Sequence, residues 1–491
     1  MKSVRRAFIM SSIEQYLSLT INVTVLAVMA RLLTPADIGH AVMGIGISAM
    51  ALTLREFLTP DFLIQQQTIE TEDLRTSVTL LFLVTFAVTI GVVAGSDAIS
   101  RFYDAVDLQF FLLIVLMSAF AEVISQPIIA ILRRNLQFGL LANIRVFSLL
   151  VTAITTVSLG ALDFGYLSYA WGMLVGAVTL AVLAARFSHI SVPDICRPSL
   201  ASWRTIVEFG RYRGGSQAID RFHEIVPQLV LGKVMSVASV GLYNRANTVC
   251  AIPDRIIMSA FYSMAFPALA AAVREGRNIK QAYLHTLSYL SVLYWPGVFM
   301  IALCADPLVR LILGPQWHEA ILLVRLLSLA AVFWFATIVS NPLLLALGKN
   351  RDAFLASLMA RSIAATVLCG ASTYGITAMA ISQFISVPVQ LFISLGFTRK
   401  HLDFTTSELV SALTPSVAVT VFTLSGPMLL LSSGGWDLQI SSLEFAIMLP
   451  LAGLGWLVGL VLVRHPFLEE VQLISQFIVA AAARVRLHYQ T

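Results

Sequence analysis

The stretch VTLLFLVTFAVTIGVVAG, residues 78–95, is a run of eighteen residues without a single charge. As an α-helix it is long enough to cross the hydrocarbon core of a bilayer, which takes about 20 predominantly apolar residues. In lipid only helices and closed barrels satisfy their backbone polar groups, and this run lacks the alternation of a strand. It therefore predicts a transmembrane helix.

The whole chain has the same apolar character. Of its 491 residues 58% are hydrophobic and only 12% are charged, and the mean hydropathy is +0.84. Ordinary soluble domains carry roughly 25% charged residues. We predict an all-α polytopic membrane protein with about 14 transmembrane helices, of which the seventh and eighth carry the most charge. The predicted spans are near 11–32, 38–58, 77–95, 109–130, 139–160, 165–186, 207–231, 237–265, 286–304, 320–346, 353–371, 374–396, 409–432 and 442–463.

The basic residues predict the orientation. If the N-terminus is cytoplasmic, the even-numbered loops and both tails hold 19 of the 32 Lys and Arg residues. The opposite loops hold only four, which are Arg31, Arg101, Lys233 and Arg310. This positive-inside bias places both termini in the cytoplasm, and MKSVRR followed by a long apolar helix predicts a retained first span. Because the charge is spread over many short loops, nucleic-acid binding is not expected.

Two pairs of segments indicate an internal duplication. SQPIIAILRRN (125–135) returns as SNPLLLALGKN (340–350), and ARLLTPADIGHA (30–41) aligns without gaps with GKVMSVASVGLY (232–243). Each offset covers six predicted helices, an even number, so the two copies have the same direction in the membrane. We predict an N-terminal six-helix lobe at 1–190, a cytoplasmic linker at 191–206, a second six-helix lobe at 207–400, and helices 13 and 14 with a cytoplasmic tail at 401–491.

Charged side chains inside the predicted spans are the candidate functional residues. A charge at the bilayer centre costs at least about 2.5 kcal/mol, so it should face a bundle interior or a wet cavity. For Arg55, Arg211 and Arg213 snorkelling towards a helix end stays open as an alternative. The nine arginines inside predicted spans are Arg55, Arg145, Arg211, Arg213, Arg221, Arg245, Arg255, Arg325 and Arg361.

The seventh helix has the most regular polar pattern. In RGGSQAIDRFHEIVPQLV (213–230), polar residues recur at the spacing of one helical face, and the first helix shows a milder version. If the two faces meet, they line a water-filled cavity between the lobes. The predicted cavity residues are Arg55, Arg145, Arg221, Arg245, Arg255, Arg361, Gln15, Asn22 and Gln217. The candidate ion-coupling residues are Asp220, Glu224 and Asp254.

Structural alternatives for these charges stay open. Asp220, Arg221 and Glu224 would then pair with one another and hold helix packing, while Arg145 and Arg361 would cap neighbouring helices. Because 27 of the 32 basic residues are arginine, whose planar fork suits phosphate and carboxylate, a cavity lined by them favours an anionic cargo.

Motifs of other chemistries are absent from the sequence. It contains no G-x-x-x-x-G-K-[ST] loop and no H-E-x-x-H, and its four cysteines and eight histidines are scattered. No cofactor and no metal site are predicted. No long extracytoplasmic loop exists that would hold a glycosyltransferase or polymerase site, so an enzyme is not expected.

Three stretches carry a family resemblance. ARLLTPADIGHAVMGIGI (30–47), REFLTPDFLIQQQTIETEDLRTSVTLLFLVT (55–85) and VGLYNRANTVCAIPDRI (240–256) resemble bacterial polysaccharide transporters. These are the O-antigen and exopolysaccharide flippases of the multidrug/oligosaccharidyl-lipid/polysaccharide exporter superfamily. The strongest stretch is 30–85, and the layout of fourteen helices extends the resemblance over nearly the whole chain.

The resemblance implies a cargo and a mechanism. The cargo would be an oligosaccharide repeat unit on undecaprenyl pyrophosphate, moved to the periplasmic leaflet of the inner membrane by alternating access, for exopolysaccharide, O-antigen or capsule synthesis. Arg55, Arg221, Arg245 and Arg255 match the cationic cavity of the family. Further implied partners are a polysaccharide polymerase and chain-length or export proteins. The alternatives are a peptidoglycan-precursor flippase, a cation-coupled drug exporter, or, in another class, a membrane polysaccharide polymerase or ligase.

Overall fold

The structure, a computed structural model, describes residues 2–60, 62–65, 69–103, 105, 108–188, 190–255, 275, 278–435 and 438–473. Within these residues the regular structure is helical and no strand occurs, so the predicted all-α class is confirmed. The end of the predicted span 237–265, the tail beyond 473 and the side chain of Arg213 lie outside the described residues.

The long helices are numbered here in chain order. They are α1 Lys2–Leu32, α2 Pro35–Leu52, α3 Thr71–Tyr103, α4 Leu108–Arg134, α5 Phe138–Ala161, α6 Leu167–Phe187, α7 Trp203–Val234, α8 Val237–Cys250, α9 Ile279–Leu303, α10 Ala320–Ala346, α11 Asn350–Ser372, α12 Ile376–Leu402, α13 Thr406–Ser433 and α14 Ser442–Val463. A 3-10 turn at Val332–Trp334 interrupts α10, and another at Thr53–Leu58 follows α2.

Twelve of these helices are long and apolar enough to cross a membrane within the described residues. The two others are α7 and α8, the spans that carry the most charge. α7 is a continuous helix, but it contains eight charged residues. α8 has only fourteen residues, Val237–Cys250. The multi-pass membrane character is thus confirmed, while the count of fourteen spans stays a prediction.

The turn between α1 and α2 is repeated between α7 and α8. The helix bounds at the two turns differ by 202 residues, the offset of the aligned sequences. In the first turn Thr34 Oγ1 accepts a hydrogen bond from the Asp37 amide at 3.2 Å. In the second, Ser236 Oγ accepts one from the Ser239 amide at 3.2 Å. A hydroxyl that satisfies a free N–H of the first helical turn is a standard helix start, and here the two copies share it.

Two glycines form a reciprocal contact between α2 and α8. A Cβ atom on Gly39 would lie 1.9 Å from the carbonyl oxygen of Val237, and one on Gly241 would lie 2.0 Å from that of Pro35. Pro35 and Val237 are themselves 202 residues apart, as are the two glycines. The contacts are therefore related by a local two-fold axis, and only glycine allows the backbones to come so close.

The other repeated segment is a helix that contains a buried proline. Pro127 lies inside α4 and Pro342 inside α10. Each helix then ends in the same backbone hydrogen bond, from an N–H group to the carbonyl oxygen five residues earlier. The segment closed by this bond contains a residue in the left-handed backbone conformation, which is Leu136 in the first copy and Gly348 in the second. This residue follows the proline by nine positions in the first copy and by six in the second, so the second helix ends about one turn earlier.

The chain forms two compact units. The first consists of Met1–Arg245, Leu311–Ala320 and Arg361–Ser382, and the second of Ala246–Arg310, Ile321–Ala360 and Gln383–Thr491. Leu81, Val123 and Ile144 belong to a core of the first unit, whereas Tyr283, Trp295 and Phe335 belong to a core of the second. The lobe boundaries at 1–190 and 207–400 stay a prediction.

The end of α14 is fastened inside the second unit by His465, which is 1% exposed. Its Nε2 lies 3.1 Å from Ser288 Oγ and 3.1 Å from Ser416 Oγ, and its Nδ1 accepts a hydrogen bond from the Phe467 amide. Since Nδ1 is an acceptor, Nε2 carries the proton of the neutral ring. Burial, and then the neighbouring His285, lower the pKa of His465 to about 4.

Candidate functional site in the first unit

A small cavity lies beside α7 in the first unit. Its volume is about 270 Å³, and apolar side chains of α2 form much of its wall. We call it the polar cavity, because six polar side chains line it. They are Tyr169 of α6, Arg221, Glu224 and Gln228 of α7, and Asn244 and Arg245 of α8.

Arg245 is the buried charge of the polar cavity. It is 8% exposed, and its Nη2 donates to the hydroxyl of Tyr169 at 2.7 Å. Its Nε is buried without a hydrogen-bond partner among the described residues. A guanidinium keeps its charge in any protein environment, and an unsatisfied buried donor costs about 1–3 kcal/mol. An anionic group of a ligand would meet both needs.

The second arginine of the polar cavity is paired and about half-exposed. Arg221 Nη1 lies 3.3 Å from Glu224 Oε2, and the two side chains are 49% and 63% exposed. A pair this exposed contributes little to stability, so it can open at small cost when another anion enters. The structural alternative from the sequence was that Asp220, Arg221 and Glu224 pair with one another. Arg221 does pair with Glu224, but Asp220 pairs with a different residue.

Asp220 and Arg361 form one of two related ion pairs. Arg361 Nε of α11 lies 3.4 Å from Asp220 Oδ1 of α7. In the first half of the chain, Arg145 Nη1 of α5 lies 3.3 Å from Glu14 Oε1 of α1. Arg145 and Arg361, which occupy matching places in the repeat, therefore both pair with a carboxylate on the first helix of their predicted lobe. Neither arginine lines the polar cavity.

Arg55 is buried rather than snorkelling. It lies in the turn Thr53–Leu58 and is 6% exposed, and its Nη1 lies 3.1 Å from Glu122 Oε2 of α4. α7 packs closely on this turn, since a Cβ on Gly210 would lie 1.9 Å from the carbonyl oxygen of Phe57. The Nε and Nη2 of Arg55 are buried without a hydrogen-bond partner in the described chain. Arg55 is not among the residues of the polar cavity.

The remaining predicted site residues lie elsewhere. Gln15 and Asn22 are exposed on α1, and Gln217 is half-buried on α7; none of them lines the polar cavity. Asp254 and Arg255 belong to the second unit, where Asp254 is half-buried and Arg255 exposed. Among the described residues, no group of three or more His, Cys, Asp or Glu side chains could hold a metal ion.

Three polar residues of the cavity, which are Tyr169, Gln228 and Asn244, are not among the predicted site residues, although Gln228 lies in the polar stretch of the seventh helix. Tyr169 lies in an apolar helix with nothing in its local pattern to distinguish it. Asn244 donates from Nδ2 to Gln228 Oε1 at 3.4 Å. Because it directly precedes Arg245, a predicted cavity residue, its sequence position could have indicated that it lies near the cavity.

A solved structure shares the fold of this chain. The chain is similar to the solved structure of the lipid II flippase MurJ in an inward closed conformation, with a TM-score of 0.75 and 13% identity. The match covers 92% of this chain and 98% of that one. At this identity the likeness shows the fold alone, which is a bundle of long helices.

The sequence comparison identifies the family. A family model described as polysaccharide biosynthesis protein matches residues 28–322, which is more than half of the chain and includes α2, α6, α7 and α8. The chain belongs to this family, so the resemblance drawn from the three stretches is confirmed.

Two curated relatives illustrate the family. The succinoglycan biosynthesis transport protein ExoT of Rhizobium meliloti is 22% identical over 71% of this chain and 69% of its own length. The teichuronic acid biosynthesis protein TuaB of Bacillus subtilis is 22% identical over 53% of this chain. The match spans only 54% of TuaB, about half the length of that relative.

Proposed function

We propose that this chain flips a lipid-linked oligosaccharide repeat unit across a bacterial inner membrane, with both termini in the cytoplasm. The carrier would be undecaprenyl pyrophosphate, and the product would serve exopolysaccharide, O-antigen or capsule synthesis. The transport fold and the polysaccharide family support the coarse function. The proposal of an anionic, lipid-linked cargo rests on the buried Arg245. Its only side-chain hydrogen bond within the described residues is to the hydroxyl of Tyr169.

Within this proposal the polar cavity holds the anionic part of the cargo. Arg245 supplies a fixed positive charge in the buried wall of the cavity. Arg221 supplies a second positive charge, which leaves its pair with Glu224 and binds the anionic group of the ligand. Alternating access of such a cavity to the two sides would carry the head group across while the lipid stays in the bilayer. No step makes or breaks a bond, so we propose a transporter and not an enzyme.

Complementation of a deletion strain tests the proposal. Arg245→Ala is expected to abolish surface polysaccharide at normal membrane levels of the protein, and lipid-linked repeat units should accumulate. Arg245→Lys should retain part of the activity, because lysine keeps the positive charge but cannot make the paired hydrogen bonds of a planar guanidinium. Arg101→Ala is the matched control, since Arg101 is 80% exposed in its pair with Asp97. Normal polysaccharide from Arg245→Ala would count against the proposal.

Asp254 is our first candidate for ion coupling. Its Oδ1 is buried without a hydrogen-bond partner in the described chain, whereas Asp220 and Glu224 are held in ion pairs. Buried membrane carboxylates commonly carry protons or cations in transporters. Asp254→Asn should abolish the dependence of transport on an imposed ion gradient in vesicles, whereas Asp97→Asn should not. Gradient-dependent transport by Asp254→Asn would exclude this role.

The peptidoglycan-precursor alternative is separable by experiment. The MurJ likeness is one of fold and does not assign its cargo to this chain. If the chain rescued a strain that lacks its lipid II flippase but restored no surface polysaccharide, the proposed cargo would be wrong.

A further inference from the structure

A second, larger cavity lies in the first unit, on the other side of α7. It has a volume of about 780 Å³ between α7 and the second half of α11. We call it the apolar groove, because Ala218, Phe222 and Val226 of α7 and Ala365 of α11 are among the side chains that form its walls. A volume of this size is typical of sites for small ligands, which span about 300–1,000 Å³.

One end of the apolar groove is charged. Arg361 lines it and is held at 3.4 Å by Asp220, and both groups are partly exposed. His223 also lines it, and its Nδ1 is buried without a hydrogen-bond partner in the described residues. Polar groups at membrane depth are costly and usually functional, so a gap that only met bulk acyl chains would not need them.

α7 separates the apolar groove from the polar cavity. Arg221 and Glu224 line the polar cavity, while Phe222 and His223, which lie between them in sequence, line the apolar groove. Successive residues of a helix point about 100° apart, so one turn of α7 serves both spaces. α7 thus presents Arg221 and Glu224 to one space and the side chains of Phe222 and His223 to the other.

We propose that the apolar groove binds the single hydrocarbon chain of the phosphate-bearing lipid that carries the cargo. This inference rests on the proposed function. The groove is one cleft between two helices, which suits a single-chain polyprenyl lipid better than a two-chain phospholipid. Bilayer lipid is as apolar as the groove, so burial alone gives little preference. Selectivity then comes from the shape of the cleft and from the polar end formed by Arg361 and His223.

A photoreactive side chain tests the occupant in the full-length protein. A benzophenone amino acid replaces Thr366, which lines the apolar groove, or Ile363, which lies on α11 outside the groove and is 40% exposed. After irradiation of membranes, covalently bound lipid is released and identified by mass spectrometry. We expect polyprenyl phosphate or pyrophosphate adducts at Thr366, at least about tenfold above Ile363. Only phospholipid adducts, equal adducts at both positions, or none would overturn the inference.

A variant that fills the groove supplies the second measurement. Ala365→Phe places a ring where Ala365 lines the apolar groove, and Ile363→Phe is the control on the same helix. Ala365→Phe should lower both the polyprenyl adduct at Thr366 and the surface polysaccharide about tenfold, and Ile363→Phe should lower neither. An unchanged adduct and normal polysaccharide would overturn the inference.

Failure of the groove and failure of the function give different results. If the unaltered chain restores polysaccharide but Thr366 captures no polyprenyl lipid, the groove is not the chain site and the proposed function stands. If the unaltered chain restores no polysaccharide in its deletion strain, the proposed function fails whatever is captured.

Discussion

Replacing Gly39 by alanine should force α2 and α8 apart. The new Cβ would lie 1.9 Å from the carbonyl oxygen of Val237, whereas ordinary contacts of a Cβ are 3.4–4 Å. The obstacle is backbone, not the end of a flexible side chain, so the helices must separate locally by about 1.5 Å. Overpacking of this kind costs about 1–3 kcal/mol, partly offset by up to about 1 kcal/mol from the better helix propensity of alanine. Since a glycine-to-alanine control in open space gains the same helix propensity, Gly39→Ala should be about 1–3 kcal/mol less stable than that control.

Unfolding free energies in mixed micelles measure this loss. Gly91→Ala is the matched control, because Gly91 lies within a long helix and has nothing within 4 Å of its Cβ position. We expect Gly91→Ala to be neutral or slightly stabilising and Gly39→Ala to be destabilised relative to it. Equal stability of the two variants would refute the close approach of the helices.

The double variant tests the two-fold relation. Gly241→Ala should cost about as much as Gly39→Ala, because its Cβ meets Pro35 at 2.0 Å in the same arrangement. One separation of α2 from α8 relieves both clashes. The double variant should therefore cost less than the sum of the singles, with a coupling of about 1 kcal/mol. Strict additivity would contradict a shared displacement.

Three further predictions concern other contacts. Gly455→Ala should destabilise the chain by about 1–3 kcal/mol, because its Cβ would lie 2.3 Å from a backbone carbonyl of α13, whereas Gly453→Ala, with open space around it, should not. Trp317→Phe should cost about 1 kcal/mol in unfolding free energy, because it removes the indole N–H that donates to the Ala30 carbonyl at 2.7 Å. Because the pKa of His465 falls to about 4 on folding, its contribution is complete above its ordinary pKa near 6.5 and is lost as the pH falls towards 4. His465→Asn should remove about 1–3 kcal/mol of the loss of unfolding free energy between pH 6.5 and pH 4, and an unchanged pH profile would contradict the assignment.

The helices were predictable because the bilayer imposes a simple rule. A segment must satisfy its own backbone and present apolar side chains, so length and hydropathy alone locate it. The same rule explains where the prediction weakens. α7 contains eight charged residues and is nevertheless a continuous helix. Arg221 and Glu224 pair within α7, and Asp220 pairs with Arg361 of α11. A hydropathy profile contains neither kind of pairing.

The site was predictable in its residue types but not in its pairings. The helical periodicity of α7 assigns residues to one face only to within about one position. It therefore placed Asp220 and Arg221 on the same face, although the two side chains have different surroundings. Arg221 lines the polar cavity, while Asp220 reaches Arg361 beside the apolar groove. Arg245 was predicted, but its partner Tyr169 comes from α6, and no spacing within one helix indicates a contact made by another.

The duplication shows which features a repeat keeps. The turns at α1–α2 and α7–α8 share the hydrogen bond from a backbone amide to the hydroxyl three residues earlier, because a helix start depends on a few adjacent residues. The ion pairs of Arg145 and Arg361 match in kind only, since the arginines are 216 residues apart and their acidic partners, Glu14 and Asp220, are 206 apart. A carboxylate within reach stabilises a cation inside the membrane, and a long side chain can meet one from more than one helical turn. The helix starts therefore repeat together with their sequence. The ion pairs repeat although the positions of the paired residues do not align, so sequence comparison alone detects the helix starts and misses the ion pairs.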